Sequence, residues 1–221
     1  MGGLFITLEG TEGGGKSTQC QWLTGQLESR GFKVRRLREP GGTTIGEEIR
    51  HTLISSAGNS AMTPEAELLL MNASRAQLVR EVIRPALAQG EIVVCDRFYD
   101  STTAYQGHGR QLELERVKSV IDVAVGWTRP DLTLLLHVPL AVSEQRRQVR
   151  QAAQRAGRDR MEEADREFFR RVEQGFLAVA HAEPGRVKLI DATADLETVQ
   201  DRIWEFVEPL VKHWVPRGPG D

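Results

Sequence analysis

The fold is decided by residues 4–18, which read LFITLEGTEGGGKST. The run Leu4–Leu8 is short and β-rich, as a buried strand is, and a helical pattern begins near Ser17. Between them, from Gly10 to Ser17, lies the spacing G-x-x-x-x-G-K-S. Glycines allow the positive φ angles that turn backbone N–H groups inward, and a helix that starts at the loop adds the positive end of its dipole. A strand, a glycine-rich loop and a helix in this order predict a phosphate-binding loop.

Within this P-loop, Lys16 is placed to reach the β- and γ-phosphates of a nucleotide, and Ser17 is placed to ligate Mg²⁺. The loop alone does not distinguish a switch, a motor and a kinase. A GTPase is disfavoured because neither Asn59 nor Asn72 belongs to an Asn-Lys-x-Asp motif, and the LSGGQ signature of ABC-type ATPases is absent. The predicted ATP-binding residues are Gly10, Thr11, Glu12, Gly13, Gly14, Gly15, Lys16, Ser17 and Thr18.

Length and composition favour one globular unit. The chain has 221 residues, of which 40% are hydrophobic and 27% charged, and this excludes collagen-like, low-complexity and wholly disordered chains. We expect a single domain over residues 1–215 and a flexible tail over 216–221. A net charge of −2 excludes a global basic field for nucleic acid or anionic lipid, so an anion site must be local. No signal segment or membrane span is recognised and Cys20 and Cys95 form no CxxC pair, so we expect a cytoplasmic protein with no membrane contact.

Five short β-rich runs alternate with helical patterns, which predicts parallel βαβ units with helices on both faces of one sheet. The run Leu132–Val138 is almost wholly apolar and predicts a strand buried on both faces, whereas Lys33–Arg38 is largely charged and predicts an edge strand. Pro85 is expected to divide its helix, and Pro209 to bend or end the last one. The expected fold is α/β, a three-layer P-loop NTPase type with a five-stranded parallel sheet. The predicted strands are Leu4–Glu9, Lys33–Arg38, Glu91–Asp96, Leu132–Val138 and Lys188–Asp191.

Two further motifs follow predicted strands, at the edge where doubly wound sheets bind their ligands. Asp96 and Arg97 come at the end of the third run, where a carboxylate can hold Mg²⁺ through water and a guanidinium can form a fork on a phosphate. The alternative is that Asp96 and Arg97 only form an ion pair with each other at the end of the strand. The segment Arg38–Thr43, REPGGT, follows the second run and fits a plain turn equally well.

Arginines are concentrated between residues 146 and 171, where nine arginines outnumber five acids and no lysine occurs. Arginine suits bidentate recognition of oxyanions. Gly157 interrupts the helical pattern, so Arg155, Arg158 and Arg160 are expected at the tip of a lid over about residues 154–164. An arginine directed at a phosphoryl transition state can raise the rate of transfer by ~10³–10⁵-fold. An exposed ion pair, by contrast, contributes only about 0–1 kcal/mol to the stability of the fold. The arginines expected on a solvated helix face are Arg146, Arg147, Arg166, Arg170 and Arg171.

Together, these segments resemble the bacterial type of the thymidylate kinase family over nearly the whole chain. The most telling are the Arg-Glu-Pro-Gly-Gly segment from Arg38 and the Ala-Tyr-Gln-Gly segment from Ala104, supported by Ser74–Gln77 and Asp159-Arg160. The resemblance implies transfer of phosphate from MgATP to dTMP, giving dTDP, usually by a homodimer. Position 13 is Gly here and Arg in another branch of the family, which implies that the lid supplies the extra catalytic arginine.

The resemblance also implies roles at the acceptor end. Glu12 would meet the 3′-hydroxyl of the deoxyribose, Arg38 and Arg97 would clamp the dTMP phosphate, and Arg75 would address the thymine carbonyl edge. Gln106 would lie at the base, and Tyr105 would crowd the 2′ position against ribonucleotides. The Glu39–Pro40 bond is expected to be cis, as in relatives.

The predicted site therefore has three parts. The catalytic residues are Lys16, Arg97, Arg155, Arg158 and Arg160. The substrate-binding residues are Glu12, Arg38, Pro40, Met71, Arg75, Arg97, Thr102, Tyr105 and Gln106. The metal-binding residues are Ser17 and Asp96.

Met71 is a departure, because the family commonly stacks thymine on a phenylalanine at this position. A thioether can pack on a ring face, worth about 0.3–1.5 kcal/mol, or Met71 can simply fill core between helices. Two other functions remain open from the sequence: another P-loop kinase acting on a nucleoside or a different monophosphate, and a non-catalytic module that changes shape with nucleotide. Arg38 and Arg97 favour an acceptor that already carries a phosphate, and the tip arginines argue against the module.

Overall fold

The computed structural model describes residues 2–56, 58–153 and 165–212. Its centre is a sheet whose five strands are all parallel. The strands are β1 (Leu4–Glu9), β2 (Val34–Arg38), β3 (Ile92–Asp96), β4 (Leu132–His137) and β5 (Val187–Asp191). Their order in the sheet is β2-β3-β1-β4-β5. The P-loop strand β1 is therefore central, and the predicted α/β fold class is confirmed.

Helices connect the strands on both faces of the sheet. The α-helices are α1 (Lys16–Glu28), α2 (Thr44–Arg50), α3 (Pro64–Leu78), α4 (Arg84–Ala88), α5 (Tyr99–Thr102), α6 (Leu114–Val125), α7 (Leu140–Ala153), α8 (Arg166–Ala182) and α9 (Leu196–Lys212). Segments of π-helix extend three of them, at His51–Ser55, Val79–Ile83 and Thr103–Gly109, and one 3₁₀ turn spans Asn59–Ala61.

The burial of each strand follows its composition. All six residues of β1 are buried, and so are the first five of β4. In β2 the residues are half-buried or exposed, and the strand pairs on one side only, as its charged sequence predicts. Odd and even residues of β1 face opposite sides, so Ile6 packs in a core with α1 and α9, and Phe5 in a second core with α3 and α6.

The two prolines expected to interrupt helices behave differently from each other. The chain is helical from Pro64 to Ala88, but the π-helical segment Val79–Ile83 separates α3 from α4 just before Pro85, so the α-helical stretch is divided there as expected. Pro209 lies inside α9, which continues to Lys212, so the expectation that it ends the helix is wrong. The tail 216–221 lies outside the described residues.

Both cysteines, Cys20 and Cys95, are buried free thiols. Burial raises the pKa of each thiol well above its ordinary value. Among the described helices, none has the length and apolar character needed to cross a bilayer.

Candidate active site

A cavity of about 620 Å³ lies at the edge of the sheet where the strands end. The register places Leu8 of β1 and Arg38 of β2 on either side of Asp96 of β3, so the loops after these strands meet there. The charged side chains that line the cavity are Lys16, Arg38, Arg50, Arg75 and Arg97, with Glu12, Glu39 and Asp96. In a chain of net charge −2, this local excess of positive charge fits an anionic ligand.

The P-loop surrounds the start of α1. Gly10, Gly13 and Gly15 have φ angles of 135°, 77° and 83°, which side chains other than glycine rarely adopt. Gly15 is the N-cap residue of α1 and provides no side chain to bond the first N–H groups of the helix. Those groups are therefore placed to bind phosphate oxygens. The predicted ATP-binding residues that line the cavity are Glu12, Gly13, Gly15, Lys16, Ser17 and Thr18.

Gly10, Thr11 and Gly14 shape the loop from outside the cavity lining. The Thr11 carbonyl oxygen accepts hydrogen bonds from Gly14 N at 3.4 Å and from Lys16 Nζ at 2.8 Å. A Cβ atom on Gly10 would lie 2.3 Å from the carbonyl oxygen of Leu136, so only glycine lets the loop pass this close to β4. These residues therefore hold Lys16 in place.

Lys16 is buried, with 7% of its surface exposed. Burial, with repulsion from Arg97, lowers the pKa of Lys16 from 10.5 to about 8, although Glu12 and Asp96 attract its charge. An ammonium group so poorly solvated interacts strongly with an anion that reaches it. Lys16 is therefore suited to neutralise a phosphate.

Ser17 and Asp96 meet beside Lys16, where Ser17 Oγ donates a hydrogen bond of 2.5 Å to Asp96 Oδ2. A hydroxyl and a carboxylate are the hard oxygen ligands that Mg²⁺ prefers, and Mg²⁺ usually takes few protein ligands because it keeps waters and phosphate oxygens. The described residues contain no group of three or more His, Cys, Asp or Glu that could hold a metal by themselves. The Ser17–Asp96 pair thus fits a magnesium ion shared with a nucleotide.

Arg97 follows β3 with a φ of 72°, in the left-handed region that non-glycine residues rarely adopt. Its Nη1 donates to Gly10 O and Ser101 Oγ, both at 3.0 Å, and its Nη2 donates to Glu12 Oε1 at 2.7 Å. Such a backbone conformation persists where the surroundings hold it. The geometry turns the guanidinium back to the P-loop, so Arg97 pairs with Glu12 and not with Asp96.

Glu9, at the end of β1, helps to hold this conformation and was not predicted as a site residue. Its carboxylate is buried and accepts hydrogen bonds from Phe98 N at 2.7 Å, Ser101 N at 3.3 Å and Ser101 Oγ at 2.6 Å. Burial, followed by repulsion from Asp100, raises the pKa of Glu9 to about 8. Because Ser101 Oγ also accepts from Arg97, Glu9 connects β1 to the Arg97 side chain.

Glu12 and Tyr105 form the wall next to Arg97. Glu12 Oε2 accepts a hydrogen bond of 2.6 Å from the Tyr105 hydroxyl. Burial raises the pKa of Glu12, but the attraction of Arg97 and Lys16 outweighs it, and the pKa lies below its ordinary value. The Tyr105 ring packs edge-on against Phe168, with centroids 6.0 Å apart. The wall therefore combines an ionised acceptor with a fixed aromatic ring.

Arg38 and Arg50 meet at one carbonyl. Arg38 Nη1 and Arg50 Nη1 donate to Pro40 O at 2.9 and 3.0 Å, and Arg38 Nη2 donates to both carboxylate oxygens of Glu47. The Glu39–Pro40 bond is cis, as expected. Sequence reasoning missed Arg50, whose one signal was its position at the end of the helix that follows REPGGT.

Arg75 and Met71, one turn apart on α3, line the other end of the cavity with Thr102 and Gln106. The Met71 side chain therefore lines the cavity and does not only fill core between helices. All five N–H groups of Arg75 are directed at protein acceptors, so a base carbonyl would share one of them. These acceptors are Glu39 Oε2 at 2.9 and 2.6 Å, Asn72 Oδ1 and Thr102 Oγ1 at 2.9 Å, and Phe98 O at 3.2 Å.

Helix α7 contacts the P-loop through two polar side chains. Ser143 Oγ donates to Glu12 O at 2.7 Å, and Arg146 Nη1 donates to Gly13 O and Ala192 O, both at 3.1 Å. The expectation that Arg146 belongs to a solvated face is therefore wrong, because the return of α7 to the loop gives its guanidinium two carbonyl acceptors.

The other arginines expected on that face divide into two groups. Arg147 lies with its guanidinium 4.1 Å from the centre of the Phe169 ring, and Arg171 is half-buried and donates from Nε to Gly109 O at 3.1 Å. For these two the expectation is wrong as well, since both pack against the protein. Arg166 and Arg170, by contrast, form exposed ion pairs as expected.

Helix α7 also limits position 13. A Cβ atom on Gly13 would lie 3.0 Å from Arg146 Cβ and 3.2 Å from Ser143 O. The predicted lid, with Arg155, Arg158 and Arg160, lies outside the described residues.

Comparison with known proteins agrees with the resemblance drawn from the motifs. A family model described as thymidylate kinase matches residues 8–203. The chain is 46% identical over 210 residues to a thymidylate kinase of Alcanivorax borkumensis, which spans 95% of this chain and 98% of the relative. It is 48% identical over 205 residues to a thymidylate kinase of Deinococcus radiodurans, spanning 93% of this chain and 96% of the relative.

A solved structure has the same fold. The crystal structure of thymidylate kinase from Ehrlichia chaffeensis superposes with a TM-score of 0.75 at 31% identity, over 94% of this chain and 99% of that chain. The likeness therefore covers both the sequence and the three-dimensional arrangement, and the chain belongs to the thymidylate kinase family.

Proposed function

We propose that this chain transfers the γ-phosphoryl group of magnesium-bound ATP to dTMP, giving dTDP and ADP, in the cavity at the strand ends. As a thymidylate kinase it is a nucleotide-binding transferase. The observation that carries the site assignment is the juxtaposition of Lys16 and the P-loop with Arg97 and Glu12 in one cavity. A donor phosphate on the loop and an acceptor phosphate at Arg97 would then face each other.

At the donor end, the backbone N–H groups of Gly13 to Thr18 bind the phosphates and Lys16 neutralises the charge that grows on them. Ser17 and Asp96 would hold Mg²⁺, which would help to neutralise the phosphate charge. Arg155, Arg158 and Arg160 complete the catalytic set from the lid. Catalysis by this set is positioning plus electrostatic stabilisation, with no covalent intermediate on the protein.

At the acceptor end, Arg97 and Arg38 bind the dTMP phosphate, and Glu12 accepts a hydrogen bond from the 3′-hydroxyl. Tyr105 disfavours a 2′-hydroxyl, and the edge-on packing of its ring against Phe168 and Phe176 supports this role because it holds the ring in place. Thymine lies between Met71 and the Arg75–Thr102–Gln106 surface, while Pro40 fixes the two neighbouring arginines.

The test is an ADP-release assay over dTMP, dUMP, dCMP and UMP at equal concentrations. We expect efficient turnover with dTMP and little with UMP. Equal turnover with dTMP and UMP would contradict the acceptor assignment. A single turnover with ATP labelled at the γ-phosphate should move the label into dTDP, and ATP binding without transfer would instead indicate a nucleotide-responsive module.

The pKa of Lys16 predicts a pH dependence for ATP. Because burial, with Arg97, holds this pKa at about 8, the free enzyme carries a neutral amine above that pH. We expect kcat/KM for ATP to fall by about tenfold per pH unit above about pH 8. Saturating ATP should flatten the fall in kcat, since bound phosphate favours the protonated amine. The measurement is kcat/KM for ATP between pH 6.5 and 9, with Lys16→Arg, whose guanidinium stays charged, as the comparison. A flat wild-type profile contradicts the role of Lys16.

We further propose a cytoplasmic homodimer built from one domain over residues 1–215, with its lid at about 154–164. Exposed apolar side chains on two packed helices support a second copy as the partner. Val123 of α6 and Trp127 just after it are 78% and 73% exposed, and Leu69 of the adjoining helix α3 is 58% exposed. Buried free thiols fit a reducing compartment. Sedimentation of the purified chain as a monomer would contradict the dimer, and recovery outside the cytoplasmic fraction would contradict the location.

A further inference from the structure

Glu67 is a fully buried carboxylate on α3 that contacts a predicted base-binding residue. Its Oε1 accepts hydrogen bonds of 2.8 Å from Gln106 Nε2 and 3.2 Å from Arg110 Nε, and its Oε2 accepts one of 3.0 Å from Arg110 Nη2. The Arg110 guanidinium itself lies 4.5 Å from the centre of the Phe168 ring, which holds it in place. A bidentate guanidinium favours the ionised carboxylate, which has no hydrogen to donate.

This contact determines which way the Gln106 amide faces. A carboxylate can only accept, so the NH₂ group of Gln106 must turn to Glu67 and the carbonyl oxygen must turn away from it. Gln106 lines the cavity, and its Oε1 makes no hydrogen bond within residues 2–56, 58–153 and 165–212. The amide therefore presents an acceptor, and not a donor, to a base in the cavity.

Pyrimidine bases differ at the edge that would meet this amide. Thymine carries a donor at N3–H next to an acceptor at O4, whereas cytosine carries an acceptor at N3 next to a donor amino group. An acceptor at Gln106 beside donors from Arg75 and Thr102 complements thymine and opposes cytosine. If the Gln106 amide were reversed, it would present a donor to the base, and this donor would complement N3 of cytosine instead of N3–H of thymine.

We propose that Glu67 is a positioning residue that fixes the orientation of the Gln106 amide and thereby selects a 4-oxo pyrimidine, such as thymine, over a 4-amino pyrimidine. The inference rests on the proposed function, because it places the base of the acceptor at Gln106. Glu67 touches no substrate itself and acts through Gln106. Arg110 serves the same end, since it donates to both oxygens of Glu67 and so uses them as acceptors.

A purely structural role for Glu67 predicts something different. The Glu67–Arg110 ion pair also anchors α3 to the residues that follow the π-helical segment Thr103–Gly109. If that were its whole role, a substitution would lower turnover of every acceptor in parallel. The ratio of kcat/KM for dTMP to that for dCMP separates the two roles, because general loosening cancels in the ratio.

The test is Glu67→Gln, which keeps the shape of the side chain. An amide at position 67 can accept or donate, so the Gln106 amide is free to turn. We expect the dTMP to dCMP ratio to fall by about 10–100-fold, the range for losing or mispairing one buried hydrogen bond. Glu65→Gln, at an exposed glutamate two residues earlier on the same helix, should leave the ratio unchanged.

A second variant tests the mechanism and guards against misfolding. Glu67→Gln combined with Gln106→Glu exchanges the two side chains, so position 106 again presents only acceptors while the new amide at position 67 donates to it. We expect the double variant to recover the dTMP preference. If Glu67→Gln alone does not fold, as judged by circular dichroism, the double variant decides the question.

The outcomes are distinguishable. An unchanged ratio in Glu67→Gln, a parallel loss for both acceptors, or no recovery in the double variant overturns the inference while leaving dTMP phosphorylation intact. Failure of the wild-type protein to phosphorylate dTMP would instead overturn the proposed function.

Discussion

Replacing Lys16 by methionine is expected to lower kcat by about 10³-fold, the largest effect that we expect of any single substitution in this protein. Methionine keeps much of the volume and removes the ammonium group that the Thr11 carbonyl holds at the cavity. Loss of one preorganised charge-stabilising group costs ~10²–10³ in other enzymes, and a P-loop lysine neutralises two phosphates at once. Single-turnover and steady-state rates with saturating ATP and dTMP measure the loss.

The same substitution should not destabilise the fold at pH 7. The pKa of Lys16 is depressed in the folded state, so the folded chain binds the proton less well than the unfolded chain does, and the charged amine opposes folding below about pH 8. We expect the Tm of Lys16→Met to equal or exceed that of the wild type at pH 7. From about pH 8 to 10.5 the wild type should gain stability relative to the variant.

Lys212→Met is the matched control, because Lys212 is exposed on α9 and pairs only with Glu208 among described residues. It should leave kcat and Tm unchanged. Activity of Lys16→Met within a few fold of wild type would mean that the P-loop does not bind the transferred phosphate, and a collapse in Tm would mean that Lys16 supports the fold.

Replacing Arg97 by lysine is expected to lower kcat/KM for dTMP by about 10²–10³-fold, because an ammonium cannot reproduce the two-pronged contact of a guanidinium. In this structure the Arg97 guanidinium donates hydrogen bonds to Gly10 O, Ser101 Oγ and Glu12 Oε1. Lysine retains the positive charge that holds Glu12 ionised. Lysine and arginine are also equally strained at a φ of 72°. The substitution therefore removes only the bidentate contact of the guanidinium.

The measurement separates the two substrates. KM for dTMP should rise far more than KM for ATP, since the proposed function assigns Arg97 to the acceptor phosphate. Arg116→Lys, an exposed arginine paired with Glu113 on α6, is the control and should change neither. Equal rises in both KM values would contradict the assignment of Arg97 to the acceptor phosphate.

Local patterns were sufficient to predict the fold. The P-loop spacing, the apolar runs and the charged edge strand each depend on neighbouring residues, and the five strands match the predicted runs within one residue at either end. Asp96 and Arg38 could be placed at one sheet edge because parallel strands share an edge for their carboxyl ends. These features needed no knowledge of distant contacts.

The contacts that tune the site could not be predicted in this way. Ser143 and Arg146 look like ordinary residues of a charged helix, and their bonds to the P-loop depend on how α7 returns to it. Glu9 lies in a strand with no sign that its carboxylate would turn inward. Glu67 did leave a signal, because it lies four residues before Met71 and eight before Arg75, on the same helical face.

The crowding at Gly13 has an evolutionary consequence. In this chain the φ of 77° at Gly13 strains any side chain there, and the approach of α7 leaves a Cβ atom only 3.0 Å from Arg146 Cβ, so an arginine at position 13 would require a small shift of α7 as well. A lineage with this helix packing is thus hindered from placing an arginine in the P-loop at position 13 without a compensating change in α7.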